Sequence, residues 1–372
     1  LSYTRSFSEY RVGILTILEK WEKLLNYKPN VITEDYLQYK YNKEVKDDTI
    51  IIASNVIPSL DFIENLKKLD NIAVLKDGEL IAYTCNDCNP DQIPEKKIEY
   101  DGDITIICSN TDIFSLNGEC ISSDFEILTS GRKSATISTT NIIIGEHPVF
   151  AEKGCFIECA TINASDGPVY IGKDAKIMEG SNIRGPFAIC ENSEIKMGAK
   201  IYGSTTIGPW CKIGGEINNS VFFGYSNKAH DGFLGNAAIG EWCNIGADSN
   251  NSNLKNNYAI VKLWDYNTKR FLSTGLQFCG LIMGDHSKCG INTMFNTGTI
   301  IGVSANIFGS GFPRNFVPSF SWGGNAGLTV YKLNTGFDVM SKVMERRGKN
   351  LEENDKKMFE HIFDITSEYR NF

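Results

Sequence analysis

The apolar pattern changes character once along the chain. Up to about residue 130 it is mixed. "YRVGILTILEKWEKLL" places Ile14, Ile17, Leu18, Trp21 and Leu24 at helical spacing, and "SLDFIENLKKL" reads as a helix opening on a Ser or Asp cap. "DTIIIASNVIP" and "DITIICS" are short β-rich runs expected to be buried strands. Strands alternating with helices predict a parallel α/β sheet.

From Ile171 onward a single period takes over. Ile171, Ile177, Ile183, Ile189, Ile195, Ile201, Ile207 and Ile213 fall at every sixth position. Four residues after the first seven stand Ala175, Ser181, Phe187, Ser193, Ala199, Thr205 and Cys211, all small but one. A period of six predicts a parallel β-helix. Each hexad forms one short strand and a turn, and three hexads close a triangular coil. The aliphatic residue points inward, and the small one shares the interior near a corner where bulk would clash. Stacked coils pair at ~4.8 Å, giving ladders of isoleucine. A shorter run at the same period, Ile144, Phe150, Phe156 and Ile162, precedes it, and a step containing Asp166-Gly167-Pro168 joins the two.

After Ile213 the frame slips. The next series is Phe233, Ile239 and Ile245, so at least two residues are expected to bulge between Ile217 and Gly232, with His230 in the bulge or at its return. "YAIVKLWDYNTKRFLSTGLQ" predicts an inserted hairpin. The frame resumes at Met283, Cys289, Phe295, Ile301 and Ile307. Gly284, Gly290 and Gly302 follow three of these and suit tight corners. "GFPRNFVPSFSWGG" is expected to seal the column end, with a part in a donor site as the alternative. From Leu333 the text is charged and helical, which suits terminal helices capping a column. The chain thus divides into an α/β part (1–130), a β-helix (140–325) and a helical segment (326–372).

Composition narrows the chemistry. Apolar residues make up 42% and charged residues 22% of the 372, so a packed core is expected. A net charge of −8 argues against a nucleic-acid partner. No apolar run approaches a membrane span, and no signal peptide is read at the start, which is Leu1 rather than a methionine. Eleven cysteines, an odd number scattered through strand-like text, suit reduced thiols and a cytoplasmic setting. The one CxxC, Cys85 to Cys88, lacks the second pair that a zinc site needs.

Four histidines are present, and His230 is the one whose surroundings suggest chemistry. A neutral imidazole suits a general base near neutral pH. A loop histidine bonded to a neighbour is the alternative. Asp285 and His286, in "MGDHSKCG", are candidates for lining an acyl-donor cleft, against the plainer role of a solvated corner. His147 and His361 have no supporting context.

The column resembles the left-handed parallel β-helix of hexapeptide acyltransferases. Within that class, "HDGFLGNAAIGEWCNIGADSNNSN" resembles the acetyltransferase half of the bifunctional N-acetylglucosamine-1-phosphate uridylyltransferase/glucosamine-1-phosphate acetyltransferase family. His230, Leu234-Gly235, Ile239-Gly240, Asn244 to Ala247 and Asn253 fall in register with that family's segment. The resemblance implies His230 as general base, Phe233 in the place of a tyrosine, and Asn244 and Asn253 as residues that hold sugar and cofactor. It also implies acetyl-CoA or another acyl-CoA as donor, a sugar or sugar-nucleotide acceptor, and a homotrimer with its clefts between columns. Two departures bear on the acceptor. The family's phosphate-binding Arg and Lys align with Glu191 and about Asn218; Arg184, Lys196, Lys212 and Lys228 are the available substitutes. "LSYTRSFSEYRVGIL" resembles the segment that follows the Gly-rich phosphate loop of sugar-1-phosphate nucleotidyltransferases, but the loop itself is not in the chain. The α/β part is therefore read as an incomplete nucleotidyltransferase-like domain, with magnesium expected only if nucleotidyl transfer is retained. An acyltransferase is the leading expectation. A sugar-1-phosphate nucleotidyltransferase and a non-catalytic relative are the alternatives.

Overall fold

The computed structural model describes residues 1–46, 48–85 and 89–372. Its spine is a left-handed parallel β-helix whose strands lie in two large sheets, one of 13 strands and one of 10. The predicted ladders form in register: Ile171, Ile189 and Ile207 on one face, Ile177, Ile195 and Ile213 on the next, and Ile162, Ile183 and Ile201 on the third. All nine are buried in one continuous core. Burying an aliphatic side chain of this size is worth about 1.5–3 kcal/mol, so the column is held by the repetition itself.

The small corner residues have a second use. Ser193 Oγ accepts from the Cys211 amide (2.9 Å) and donates to the Gly208 carbonyl (2.7 Å). Ser226 and Ser287 make the same pair of bonds in later coils. Backbone groups left unpaired where strands break are thus satisfied inside the core.

The early coil differs from its expected register. Ile171 pairs with Ala151 and Ile177 with Ile157, so Ala151 and Ile157 point inward. Phe156 and Ile144 are exposed, and Phe150 packs outward against the helix Asn117–Thr129. Of the expected run, Ile162 points inward, while Ile144, Phe150 and Phe156 each stand one residue away from the ladder position.

The slip after Ile213 is also not a bulge. Ile207 pairs with Phe222 and Ile213 with Lys228, so this coil takes 15 residues and has lost material. Ile217 pairs with Leu234 and Phe222 with Ile239, a coil of 17. Leu234, not Phe233, is the inward residue. Where a corner is missing, Glu216–Gly224 and Phe233–Glu241 each run as one nine-residue strand across two faces. Asn219 and Asn236 absorb the bend with left-handed backbone, which Asn tolerates better than most residues. Spacing alone cannot tell two added residues from four lost ones, because the next apolar residue, Phe233, stands one place before the true ladder position.

The opened corner carries the α/β part. Val221, Phe223, Ala238, Ile282 and Ile300 face outward and share one core with Tyr10, Ile17, Trp21, Phe62 and Phe114. The helix Ile17–Leu25 starts on a Thr16/Glu19 capping box. The helix Leu60–Leu66 starts on Ser59, as predicted. The sheet is not the parallel one expected. Glu79–Cys85 pairs antiparallel with both Thr49–Ile52 and Ala73–Lys76, and Lys97–Glu99 alone joins in parallel. Ala73–Lys76 and Glu79–Cys85 are joined by the two-residue turn Asp77-Gly78, both with positive φ, a hairpin signal passed over in the sequence.

The inserted hairpin is present as Lys262–Asp265 with Arg270–Ser273. "GFPRNFVPSFSWGG" supplies the last strand, Phe316–Val317, and opens the antiparallel pair Ser321–Gly324 with Gly327–Val330, whose Leu328 packs against the end of the column core. The helices Leu333–Glu345 and Glu353–Ile365 lie on the flank of the late coils, against Val303, Phe320 and Leu37. No described helix is long and apolar enough to cross a membrane.

Candidate functional site

His230 sits in the turn between Asn227–Lys228 and Phe233–Glu241, at the corner between two faces, and is exposed. The turn is held by backbone. Asp248 N donates to Asp231 O (2.9 Å), and Gly232, at φ 117°, lies so close to Ser249 that a side chain would clash. It is also held from inside. Lys228 occupies a ladder position between Ile213 and Ile245 and is 1% exposed. Its Nζ donates to Gly214 O (3.2 Å) and to His230 O (3.0 Å). Burial pushes this amine down to about 8. The sequence offers Lys228 as a substitute for a phosphate-binding cation, a role its burial in the ladder removes. Its meaning depends on coil length, which the sequence pattern did not reveal.

Phe233 and Asn253 come together. The Phe233 ring and Asn253 Nδ2 both lie over Gly235, where any Cβ would meet them. Asn253 Nδ2 donates to Asn236 Oδ1 (2.8 Å). Asn250 Oδ1 accepts from Phe233 N (2.8 Å), and buried Asn251 pairs with both backbone groups of Gly235. An asparagine network therefore fixes the strand that leaves the His230 turn. Of its members, Asn236, Asn250 and Asn251 were not anticipated. A cleft of about 470 Å³ opens at Asn236, between Phe114 and Ser115 on one side and Ile260, Gln277 and Phe278 on the other. At ~3.3 Å per residue it lies up to roughly 20 Å along the strand from His230. The cleft and the imidazole are separate features of one strand.

The other expected residues lie elsewhere. Asn244 is exposed on the adjoining face, between Asn227 and Lys288. Asp285 and His286 belong to a different corner and are 4% and 6% exposed. Asp285 is bonded to Arg5, to Thr4 Oγ1 (2.8 Å) and to the Glu241 amide (3.0 Å). Burial pushes its pKa up, but the Arg5 guanidinium together with the hydrogen bonds from the Glu241 amide and Thr4 outweighs that and holds it below the usual range. His286 stacks on Trp242 and meets the edge of Phe359. Burial, aided by Lys288, lowers its pKa to about 3, so the ring is neutral. Neither residue faces solvent, so the solvated-corner reading of His286 does not hold.

Of the substitute cations, Lys196 and Lys212 pair with Glu194, Arg184 is exposed near Asp166, and the Lys228 amine is inside the column. His147 is exposed, and His361 stacks on Tyr36. Among the described residues, no three His, Cys, Asp or Glu side chains converge as a metal site. Cys88 of the CxxC lies outside the described residues.

The fold defines a hexapeptide-repeat β-helix joined to an α/β part, and a family model matches the latter. Residues 1–133 match the family model described as sugar nucleotidyl transferase. No curated protein sequence matches the chain. Among solved structures it is similar to the polySia-specific acetyltransferase NeuO (12% identity, TM-score 0.28, 53% of this chain and 82% of that one). It is also similar to a variant of AntD, an N-acyltransferase from Bacillus cereus, in complex with dTDP and coenzyme A (11%, TM-score 0.24, 58% and 100%). A third is the Arabidopsis UDP-N-acetylglucosamine acyltransferase (15%, TM-score 0.22, 57% and 80%). At these scores the likenesses carry nothing about activity, and the fold rests on the pairing ladders above.

Proposed function

We propose that the protein is an acyltransferase that moves an acyl group from coenzyme A to an amine or hydroxyl of a sugar or sugar nucleotide, with His230 as general base. One observation carries the reading. The residue registered with the family's base is an exposed imidazole on a turn anchored both by backbone and by a buried lysine. Two more residues of the same register, Phe233 and Asn253, converge on the strand that leaves it. The imidazole accepts the proton that the acceptor loses as it attacks the thioester carbonyl. The carbon–sulfur bond then breaks, and the thiolate leaves and is protonated. Amide donors near the turn stabilise the oxyanion between the two steps.

Met197 and Ile291 are about 70% exposed on the same corner as His230, in flanking coils. Apolar side chains so placed favour a second column packed there, in line with a trimer whose clefts include His230.

The test is His230→Ala, assayed by thiol release against a panel of acyl-CoA donors and amino- or hydroxy-sugars. Loss of a general base lowers kcat by about 10²–10⁴-fold, with the melting temperature unchanged. An active preparation that tolerates the change sinks the assignment. The match of residues 1–133 favours one further reading, nucleotidyl transfer to a sugar 1-phosphate with magnesium. Pyrophosphate release from a nucleoside triphosphate and a sugar 1-phosphate distinguishes it.

A further inference from the structure

The first coils carry a second concave site that the acyltransferase reading does not use. After the helix Asn117–Thr129 the chain passes beside the column, and a cleft of about 320 Å³ opens between them. Arg132, Lys133 and Ser134 line one wall, and Glu152, Lys153 and Lys173 the other. Four cations meet here in a chain whose net charge is −8.

The one carboxylate lining the cleft is already committed. Glu152 Oε2 accepts from Arg132 Nη2 (2.7 Å), and its Oε1 accepts from the Tyr170 hydroxyl (2.9 Å). Arg132 is further fixed by the Leu128 carbonyl (2.7 Å) and lies over the Phe150 ring (5.3 Å). Asp174 follows Lys173 and lies beside Gly154, but it does not line the cleft. Lys133, Lys153 and Lys173 form no ion pair among the described residues. Four cations against one lining carboxylate leave an excess of positive charge, and an anion between the lysines relieves their mutual repulsion.

We propose that this cleft binds the phosphoryl group of a small molecule, a sugar phosphate or a nucleoside diphosphate, between Arg132 and the three lysines. Concavity favours a small ligand. A volume of about 320 Å³ holds a phosphate or diphosphate with part of a sugar. A strongly acidic chain repels an extended polyanion such as a nucleic acid. The inference stands apart from the role of His230.

Calorimetric titration of the full chain with inorganic pyrophosphate, a hexose 1-phosphate and a nucleoside diphosphate tests it, at about 50 mM salt, where screening is modest. Binding by at least one is expected. The Lys133→Gln/Lys153→Gln/Lys173→Gln variant should weaken it by about tenfold or more, the effect of lost charge-assisted bonds. Lys67→Gln/Lys68→Gln/Lys349→Gln removes the same charge elsewhere and should weaken it less than about twofold. The pattern over the three probes separates a sugar phosphate from a nucleotide. Absence of binding by all three, or equal weakening in both variants, overturns the proposal.

Discussion

Lys228 shows how one residue can join the column's interior to its surface chemistry. It stands where an isoleucine would complete the ladder, and it exchanges that packing for two bonds, one of them to the His230 carbonyl. The cost is a buried amine whose pKa falls to about 8 from an ordinary 10.5. The unfolded chain therefore binds the proton more tightly than the folded one. Stability rises as pH increases from about 8 to 10.5, and the penalty is complete below about 8. Lys228→Met should lack that rise. Melting temperatures of both proteins across the interval measure it, since other titrating groups contribute equally to each. If the two curves run parallel, the amine is not buried as described.

Among the elements, the corner that follows the Ile207 ladder is the least expected. Trp210, Tyr225, Trp242, His286, Ser304 and Phe320 occupy equivalent places in successive coils, all with positive φ. Bulky side chains rarely accept that backbone. Here stacking offsets the strain: Tyr225 lies 4.2 Å from Trp242, and Trp242 lies 6.0 Å from His286, with nearly parallel rings. His286 belongs to this stack. Because its pKa falls to about 3 from 6.5, stability is fully present above pH 6.5 and is lost as pH drops toward 3. His286→Phe, which places at this corner the residue already found at position 320, should unfold at lower pH than the wild type. Acid titration followed by tryptophan fluorescence reads the difference. Equal midpoints would show that the His286 imidazole does not carry this pH dependence.

At the scale of the whole molecule, the opened corner joins the α/β part and the column through one shared core, which predicts that they unfold together. Phe223 is 2% exposed and packs against Tyr10, with Arg5 over its ring (5.0 Å). Phe223→Ala should cost about 3–5 kcal/mol and lower a single transition. Calorimetry checks this; two separated transitions, only one of them shifted, would show that the parts unfold independently.

The isoleucine ladders, the inserted hairpin and the terminal helices were legible in the sequence because each depends on a local period. Six residues per strand and turn is a property of the chain, and each ladder residue pairs with its own equivalent one coil away. The spacing of His230, Asn244 and Asn253 proposed a base; the structure brings Phe233 and Asn253 together on the strand after His230 and leaves Asn244 exposed on the adjoining face. Coil length was not legible. Whether the column gains or loses residues after Ile213 depends on which side chain finds the interior, and Phe233 and Leu234 are both apolar. Only tertiary pairing placed Leu234 inward, brought Lys228 under the His230 turn, moved Asp285 and His286 to a buried corner, and turned the α/β sheet largely antiparallel. Each of these is set by contacts between residues far apart in the chain, which no local spacing encodes.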